Sequence, residues 1–362
     1  MLPVATIDLD SLTWNYRFLC ERAAPARVGA AVKANAYGLG LAAVSSALAR
    51  AGCDLFFTAH FCEAVALRDV LPDAEIVILH GIDAADFKEA AARRLTPTLN
   101  HLPALAAWNR FAKTQSQALP AFIHLDTAMN RLGLSPDEQA QLADDPALLD
   151  GIEVRAWMSH FACADEFDNP LTSVQREAFV AITQKLPPAP KCLCNSSGIF
   201  WGAEYLLDAV RPGLALYGGN PTPHLPNPMR GVLTLRAPIL QVREVSVGMT
   251  VGYGATHRIE RAGRIATLAL GYADGYHRTL SNKGLLKIGK HDVPLVGRIS
   301  MDLTTLDVTD VPEEQAQVGA MVTLIGPHRP IDAAAQDAGT IAYEILTSLG
   351  PRIRREYEGG GA

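Results

Sequence analysis

Short apolar runs alternate with longer segments of helical period between residues 28 and 218. An apolar run of strand length, followed by a segment whose apolar residues recur three and four positions apart, is typical of a repeated strand–helix unit. The eight runs are VGAAVKA (28–34), LFFTAH (55–60), EIVILHG (75–81), LTPTLN (95–100), PAFIHLDT (120–127), IEVRAWMSHFA (152–162), KCLCNSS (191–197) and AVRPGLALYG (209–218). Proline makes LTPTLN the weakest of them. Eight parallel strands with covering helices predict an α/β fold, a TIM-like (β/α)8 barrel.

The pattern changes after NPTPHLPNPM, which is rich in proline and asparagine and is typical of a linker. Short β-rich segments punctuated by Gly, Pro and Asp follow, and helical spacing returns only in IAYEILTSL (341–349). The β-rich segments are LTLRAPILQVREV, RIATLALGYA, LLKIGKHDVPLVG, TTLDVTD and MVTLIG. We therefore predict a barrel domain over residues 1–227 and a mainly β domain over 228–362, with residues 1–9 able to pair with the β domain.

Composition narrows the class of protein. A chain of 362 residues exceeds the length of a usual single core, and 49% hydrophobic with 19% charged residues describes a globular protein. The net charge of -6 comes without a basic block, which argues against nucleic-acid binding. The start MLPVATIDLD lacks the features of a signal peptide, and no apolar run reaches membrane-spanning length, so we expect a cytoplasmic protein. Cys192 and Cys194 have no second pair at zinc spacing, so no metal site is expected.

Polar residues follow the predicted barrel strands at their carboxyl ends, where barrel enzymes place their catalytic groups. The first strand ends at Lys33, the fifth runs into Asp126–Arg131, and the sixth ends at Ser159–His160. Asn195–Ser197 follow the seventh strand, and Arg211–Gly213 lie in the eighth. One mouth would therefore hold a lysine, two arginines, a histidine and small hydroxyl or glycine positions. Such a set suits an anionic ligand with a carbonyl group.

Lys33 lies within the apolar run VGAAVKANAYG. Desolvation lowers the pKa of a lysine toward the range in which its amine is nucleophilic, which favours a Schiff base. The alternative is a lysine that reaches from the strand end to water.

Nine segments, spread in order over nearly the whole chain, resemble the alanine racemases, a family of barrel-fold enzymes that use pyridoxal 5'-phosphate. The segments are AVKANAYGLG, LDTAMNRLG, SHFACADE, NSSGIF, VRPGLALYG, VGYGAT, LGYADGY, GRISMD and AYEILTSLGPRIRR. The first of them resembles the cofactor-lysine motif of the family. The resemblance implies an isomerase that interconverts L-alanine and D-alanine by proton transfer between two bases.

The resemblance also implies the contacts of the cofactor. Lys33 would carry it as a Schiff base and move the α-proton on one face. Its phosphate would be held by hydroxyl groups and backbone amides of Tyr37, Ser196, Gly213, Leu214 and Tyr343. Arg211 would face the pyridine nitrogen, and because arginine does not normally release its proton, that nitrogen would stay unprotonated. His160 would orient Arg211.

Racemisation needs an acid/base group on each face, so a second residue must assist the lysine. The resemblance assigns this role to Tyr253, brought to the barrel of a partner subunit, with Arg131 as the nearby positive charge that lets a phenol act as a base. Arg131 and the backbone amide of Met301 would bind the substrate carboxylate, Tyr272 would narrow the entrance, and Asp302 would give structural support. The expected functional unit is a homodimer with shared active sites.

Three positions depart from the pattern of the family. His124 stands where many members have a lysine, often carbamylated, that holds the equivalent of Arg131. A neutral or positive imidazole supplies no fixed negative charge, so we hypothesise that a bound anion or another side chain neutralises Arg131, which predicts halide-sensitive kinetics. Ala128 replaces a usual glycine, and Ser300 a common cysteine.

Three alternatives remain open at this stage. The first is a serine racemase or one of broader specificity, which rates with alanine, serine and lysine would distinguish. The second is a non-catalytic pyridoxal-phosphate carrier, against which the β domain with Tyr253 and Met301 argues. The third is a cofactor-free barrel lyase or aldolase that uses Lys33 directly. From the family we expect a metabolic role in D-alanine supply for peptidoglycan precursors or in alanine breakdown.

Overall fold

In a computed structural model of the protein, which describes residues 2–115 and 117–360, parallel strands form the predicted barrel. Its strands are Arg27–Val28 with Ala30–Ala31, Leu55–Thr58, Glu75–Ile78, Leu95–Leu99, Leu119–His124, Ile152–Met158, Lys191–Cys192 and Ala209–Val210. The first strand is interrupted at Gly29, whose amide donates to the Val210 carbonyl at 3.0 Å and so joins the last strand to the first. All eight predicted runs contain a strand of the barrel, LTPTLN included.

The predicted runs extend beyond the strands at their carboxyl ends. KCLCNSS contributes only Lys191–Cys192, and AVRPGLALYG contributes Ala209–Val210 before a 3₁₀ turn at Leu214–Tyr217. Apart from the half-buried Asn195, these residues after the strands are buried although they lie outside the strands. Buried parallel strands are apolar on both faces, so hydrophobicity alone does not mark where such a strand ends.

Helices cover the outside of the barrel. They are Leu9–Ala23, Leu41–Arg50, Phe61–Val70, Phe87–Ala92, Leu102–Ala112, Pro136–Asp144, Leu171–Thr183 and Ala203–Leu206. Their inner faces bury apolar side chains such as Leu12, Leu48 and Trp108 against the strands. Across residues 2–115 and 117–360, every helix is too short or too polar to cross a membrane.

An eight-stranded sheet forms the second part of the fold. Its strands are Val4–Asp8, Leu233–Val245, Gly263–Leu268, Leu285–Ile288, His291–Pro294, Thr304–Asp307, Met321–Ile325 and Arg354–Glu358. A separate hairpin joins Thr250–Val251 to His257–Arg258, and two helices, Ile331–Ala338 and Ala342–Thr347, pack against each other. The second helix confirms the helical spacing seen in IAYEILTSL.

The two ends of the chain meet in this sheet. Val4–Asp8 pairs antiparallel with Leu233–Val245 and parallel with Arg354–Glu358. The amino-terminal strand thus lies in the β sheet although it precedes the barrel in the sequence. From the last strand, Arg355 and Tyr357 reach the loop that follows the first barrel strand, which brings the β sheet against the mouth of the barrel.

Candidate active site

The segment that begins at Lys33 turns in the left-handed sense. Ala34, Asn35, Ala36 and Tyr37 have φ values of 53°, 55°, 52° and 54°. For residues with a Cβ this conformation costs roughly 1–2 kcal/mol each. Four such residues in a row therefore need contacts from the surrounding structure to hold them.

Those contacts come from both sides of the turn. The Glu63 carboxylate accepts a hydrogen bond from the Ala34 amide at 2.6 Å. On the other side, the Arg355 guanidinium donates to the Gly38 carbonyl at 3.0 Å. Gly38 closes the turn with φ of 82°, and a Cβ there would lie 2.5 Å from the Leu346 carbonyl oxygen. The turn is thus fixed by the second strand–helix unit and by the carboxyl-terminal segment together.

The Lys33 amine lies half-buried in a positively charged mouth. Burial lowers the pKa of this amine, and the charges of Arg131 and Arg211 lower it further, while the charge of Glu63 raises it. Lys33 thus lies in an environment of the kind that its apolar sequence context predicts, in which desolvation activates the amine.

Four of the predicted phosphate contacts lie together beside this turn. The ring centroid of Tyr37 is 6.0 Å from that of Tyr343, which comes from the helix Ala342–Thr347. The Ser196 hydroxyl accepts hydrogen bonds from the amides of Gly213 at 3.0 Å and Ala215 at 3.2 Å. Because two amides occupy its oxygen, the hydroxyl proton is left for a further acceptor. Leu214, the fifth predicted contact, starts the 3₁₀ turn that follows Gly213.

Gly213 is required by close packing. A Cβ at this position would lie 2.2 Å from the Tyr37 hydroxyl oxygen and 2.9 Å from its ring. Burial raises the pKa of the Tyr37 phenol, which therefore keeps its proton and can donate it. The absence of a side chain at Gly213 thus lets a phenolic donor reach the backbone of the eighth strand loop.

Arg211 is buried and held in place by carbonyl groups and one histidine. It donates to the carbonyls of Cys192 at 2.9 Å and Ser159 at 2.7 Å, and its Nη2 lies 3.0 Å from Nδ1 of His160. Since arginine only donates, Nδ1 of His160 is the acceptor. Burial and the charge of Arg211 lower the pKa of His160, so the ring is neutral. The structure brings together the pair that the sequence analysis proposed.

His124 cannot neutralise Arg131. Its Nδ1 lies 2.8 Å from Oδ1 of Asn100, whose amide nitrogen donates elsewhere, so the ring donates this bond. Burial and the charges of Arg211 and Arg131 lower the pKa of His124 to about 3. Arg131 is exposed and forms no ion pair or hydrogen bond within residues 2–115 and 117–360. Ala128 has φ of 79°, a conformation that favours glycine.

The remaining predicted residues lie on the β domain. Tyr253 exposes 71% of its surface, Met301 54% and Tyr272 42%. The Tyr272 and Met301 segments are joined, since the amide of Ala273 donates to the Met301 carbonyl at 2.9 Å. Asp302 pairs with Arg352 at 2.9 Å, in accord with a supporting role.

Three further groups that were not predicted from the sequence shape this site. Glu63 and Arg355 hold the turn of Lys33. Tyr217 donates to the Ala31 carbonyl at 2.8 Å, and its ring centroid lies 4.7 Å from that of Tyr37, with the rings tilted by 31°. Only Glu63 left a signal in the sequence. It stands three residues after His60 at the start of an amphipathic helix, which is the spacing of a capping box.

Comparison with known proteins gives concordant results over both parts of the chain. The family described as "Alanine racemase, N-terminal domain" matches residues 7–221, and "Alanine racemase, C-terminal domain" matches residues 232–357. An alanine racemase of Acidiphilium cryptum is 48% identical over 353 residues, covering 98% of each chain. A catabolic alanine racemase of Agrobacterium fabrum is 44% identical over 97% of this chain and 91% of its own.

Solved structures of alanine racemases have the same fold as this chain. Alanine racemase from Bartonella henselae, with covalently bound pyridoxal phosphate, superposes with a TM-score of 0.95 at 38% identity, covering 99% of this chain and 100% of the other. Biosynthetic alanine racemase from Pseudomonas aeruginosa superposes with a TM-score of 0.90 at 36% identity, covering 99% of each chain.

Proposed function

The chain belongs to the alanine racemase family, and from this premise we propose that it interconverts L-alanine and D-alanine with pyridoxal 5'-phosphate as its cofactor. The observation that carries the proposal is the arrangement of side chains at the mouth of the barrel. There a half-buried lysine amine with a lowered pKa lies near two arginines and beside a cluster of hydroxyl donors.

The residues of the mouth fit this cofactor. A phosphate needs several donors without much bulk, which the Tyr37, Ser196 and Tyr343 hydroxyls and the backbone at Gly213 and Leu214 can supply. An aldehyde needs an uncharged amine, and the lowered pKa of Lys33 favours that form.

When bound, pyridoxal phosphate withdraws electrons from the α-carbon of the amino acid and so makes its proton removable. Nζ of Lys33 would take or return this proton on one face. The phenolic oxygen of Tyr253 would do so on the opposite face. Arg131 and the Met301 amide would bind the substrate carboxylate, and Tyr272 would limit the size of the entrance.

Arg211 would keep the pyridine nitrogen unprotonated, since it can donate a hydrogen bond but not give up its proton. His160 accepts from Arg211 at 3.0 Å and would fix its direction. An unprotonated ring withdraws electrons less strongly, which suits a reaction that only returns the proton on the other face.

Tyr253 would act in the active site of a second subunit. The exposure of this tyrosine supports the proposal, since a catalytic phenol is expected to be enclosed when it works. In this arrangement residues 1–227 provide the cofactor lysine and residues 228–362 provide the second base, in a homodimer with two shared sites. We further propose a cytoplasmic enzyme that supplies D-alanine to peptidoglycan precursors or breaks alanine down.

A chiral assay tests the function. Purified protein is incubated with L-alanine, with and without added pyridoxal phosphate, and D-alanine is measured over time. We expect racemisation that depends on the cofactor and that falls by more than about 10⁴-fold in Lys33→Ala, because both the anchor and one base are lost. Lys185→Ala is the control. A rate with serine or lysine that exceeds the rate with alanine would contradict the substrate assignment.

The hypothesis of a bound anion at Arg131 is tested in the same assay. Since Arg131 has no acidic partner within the described residues, we expect chloride to change the ratio kcat/KM at constant ionic strength. Rates that are indifferent to chloride would contradict it.

A further inference from the structure

Glu63 binds three backbone amides at the mouth of the barrel. Its Oε1 accepts from Ala34 at 2.6 Å, and its Oε2 accepts from Ala59 at 2.8 Å and from His60 at 3.2 Å. Ala59 and His60 follow the second barrel strand, whereas Ala34 directly follows Lys33. One carboxylate therefore ties the residue after the lysine to the neighbouring strand–helix unit.

The hydrogen bond from the Ala34 amide to Glu63 lies at a strained part of the backbone. Ala34 is the first residue of the left-handed turn, with φ of 53°. Alanine has no side chain that could stabilise this conformation locally, so the turn depends on contacts such as that of Glu63. Because Ala34 follows Lys33 directly, holding its amide also sets where the lysine side chain leaves the backbone.

Glu63 is also the acidic group that acts on the Lys33 amine. The charged groups around that amine are Arg131, Arg211 and Glu63, and the histidines near it are His80 and His160. Burial lowers the pKa of both histidines, so they add little positive charge. The negative charge of Glu63 thus raises the pKa of the Lys33 amine, whereas the positive charges of Arg131 and Arg211 lower it.

We propose that Glu63 is a positioning residue for Lys33: its carboxylate fixes the amide that follows the lysine, and its negative charge counteracts the positive charges of the two arginines of the mouth. The proposal rests on the proposed role of Lys33 as the cofactor-bearing lysine. It predicts that Glu63 changes the proton affinity of one particular amine, which a merely structural cap would leave unaltered.

The chain contains a matched control. Glu138 occupies the third position of the helix Pro136–Asp144, as Glu63 does in Phe61–Val70. Its Oε2 accepts from the N-cap residue Ser135 at 2.9 Å, and its Oε1 accepts from Leu102 in the preceding unit at 2.8 Å. The two glutamates form the same type of bridge, but Glu138 is not among the groups that act on Lys33.

The test measures the reactivity of individual lysines in the full-length, cofactor-free chain. Trace acetylation with acetic anhydride over a series of pH values, read by peptide mass spectrometry, gives a pH profile for each amine. The midpoint of a profile reports proton affinity, and its plateau reports access to the reagent. Lys113 and Lys185 serve as internal references.

In Glu63→Gln we expect the Lys33 midpoint to move to lower pH, so that labelling at neutral pH rises roughly threefold or more, because the opposing negative charge is gone. Glu63→Asp, which keeps the charge, should restore most of the midpoint. Glu138→Gln should leave the Lys33 profile unchanged. A Lys33 profile in Glu63→Gln that coincides with the wild-type profile would overturn the proposal, as would an equal shift in Glu138→Gln.

Hydrogen exchange tests the positional part. Removing the acceptor in Glu63→Ala should increase exchange of the Ala34 amide about tenfold or more, since this hydrogen bond protects it. An unchanged exchange rate of the Ala34 amide in Glu63→Ala would refute the role of this hydrogen bond. If Glu63→Ala fails to fold, the same measurement on Glu63→Asp, whose carboxylate reaches less far, decides the matter. Both readouts are independent of racemisation, so a wild-type chain that failed to racemise alanine would refute the proposed function and leave these results standing.

Discussion

The barrel mouth and the face of the β domain that carries Tyr253 differ in how far they are completed within one chain. In the mouth, Arg211 and Ser196 are buried and bonded to neighbours from adjacent strands. On the β domain, Tyr253 and Met301 expose 71% and 54% of their surfaces. The difference accords with the proposal that the cofactor binds within one chain, whereas the second base is enclosed by the surface of a partner.

The backbone that carries Tyr272 and Met301 is nevertheless held by close contacts. Gly271 lies so close to Met301 that a Cβ there would be 2.3 Å from its carbonyl oxygen. The amide of Tyr272 donates to the Ser300 carbonyl at 3.1 Å. The backbone is fixed while the side chains remain exposed, which is expected of a surface that is ready for a partner.

The largest effect should come from mixing two inactive chains. In the proposed mechanism, Lys33→Ala lacks the first base and Tyr253→Phe the second. If the site combines the barrel of one chain with the β domain of the other, equal mixing yields hybrids with one intact site. We expect about a quarter of the wild-type racemisation rate, since half of the dimers are hybrids and each has one of two sites intact.

The control mixes Lys33→Ala chains with chains that carry both substitutions, which should stay inactive. Activity is read by D-alanine formation after denaturation and refolding of the mixture. A hybrid preparation as inactive as its parents would mean that Tyr253 acts within its own chain, and the comparison between the two regions would lose its functional meaning.

Tyr253→Phe alone should lower racemisation about 10²–10⁴-fold, as for loss of one general base. The barrel mouth is untouched, so Lys33 should continue to exchange the α-proton on its own face. Deuterium from the solvent should therefore enter one enantiomer of alanine without inversion, as followed by nuclear magnetic resonance. Equal loss of exchange from both enantiomers would contradict separate bases on two faces.

The sequence predicted the barrel well because a strand buried on both faces is a continuous apolar run, as in LFFTAH and EIVILHG. It predicted the mouth because polar residues stand out where those runs end. The strand Arg354–Glu358 escaped prediction, because all of its residues are exposed or half-buried and its partner, Val4–Asp8, lies at the other end of the chain. The helix Ile331–Ala338 was also missed.

The turn after Lys33 could not be predicted from local preference. Ala34 and Ala36 favour a right-handed helix, yet both are left-handed here because Glu63 and Arg355 hold the segment from distant positions. Conflict between local preference and tertiary contact is expected at functional sites. The sequence identified Lys33 through chemistry and resemblance, but the contacts that orient it appear only in three dimensions.

Gly213→Ala tests whether the close packing of Tyr37 against Gly213 is needed for cofactor binding. The added Cβ would meet the Tyr37 hydroxyl at 2.2 Å, so the phenol must move away from the loop. We expect affinity for pyridoxal phosphate to fall about tenfold or more, in line with overpacking of a close contact. Spectral titration of the cofactor-free chain gives the Kd. Gly231→Ala is the control, because nothing lies within 4 Å of its Cβ, and a fall of equal size there would contradict the argument.

The smallest effect concerns the stability of the barrel in acid. The folded-state pKa of His124, about 3, lies below its unfolded value of about 6.5, so the unfolded chain binds the proton first as the pH falls. The contribution is therefore complete above pH of about 6.5 and is lost as the pH falls toward 3. Between pH of about 7.5 and 5.5 this amounts to about 1 kcal/mol.

Urea unfolding at fixed protein concentration measures this loss, with the wild-type chain compared with His124→Gln, which has no such proton to bind. The wild-type chain should lose about 1 kcal/mol more than His124→Gln over this range. His224→Gln, at an exposed position, should follow the wild type. Equal losses in the wild type and in His124→Gln would mean that His124 is not held neutral. The contrast between the buried residues of the barrel mouth and the exposed residues of the β domain would then be weaker than their burial suggests.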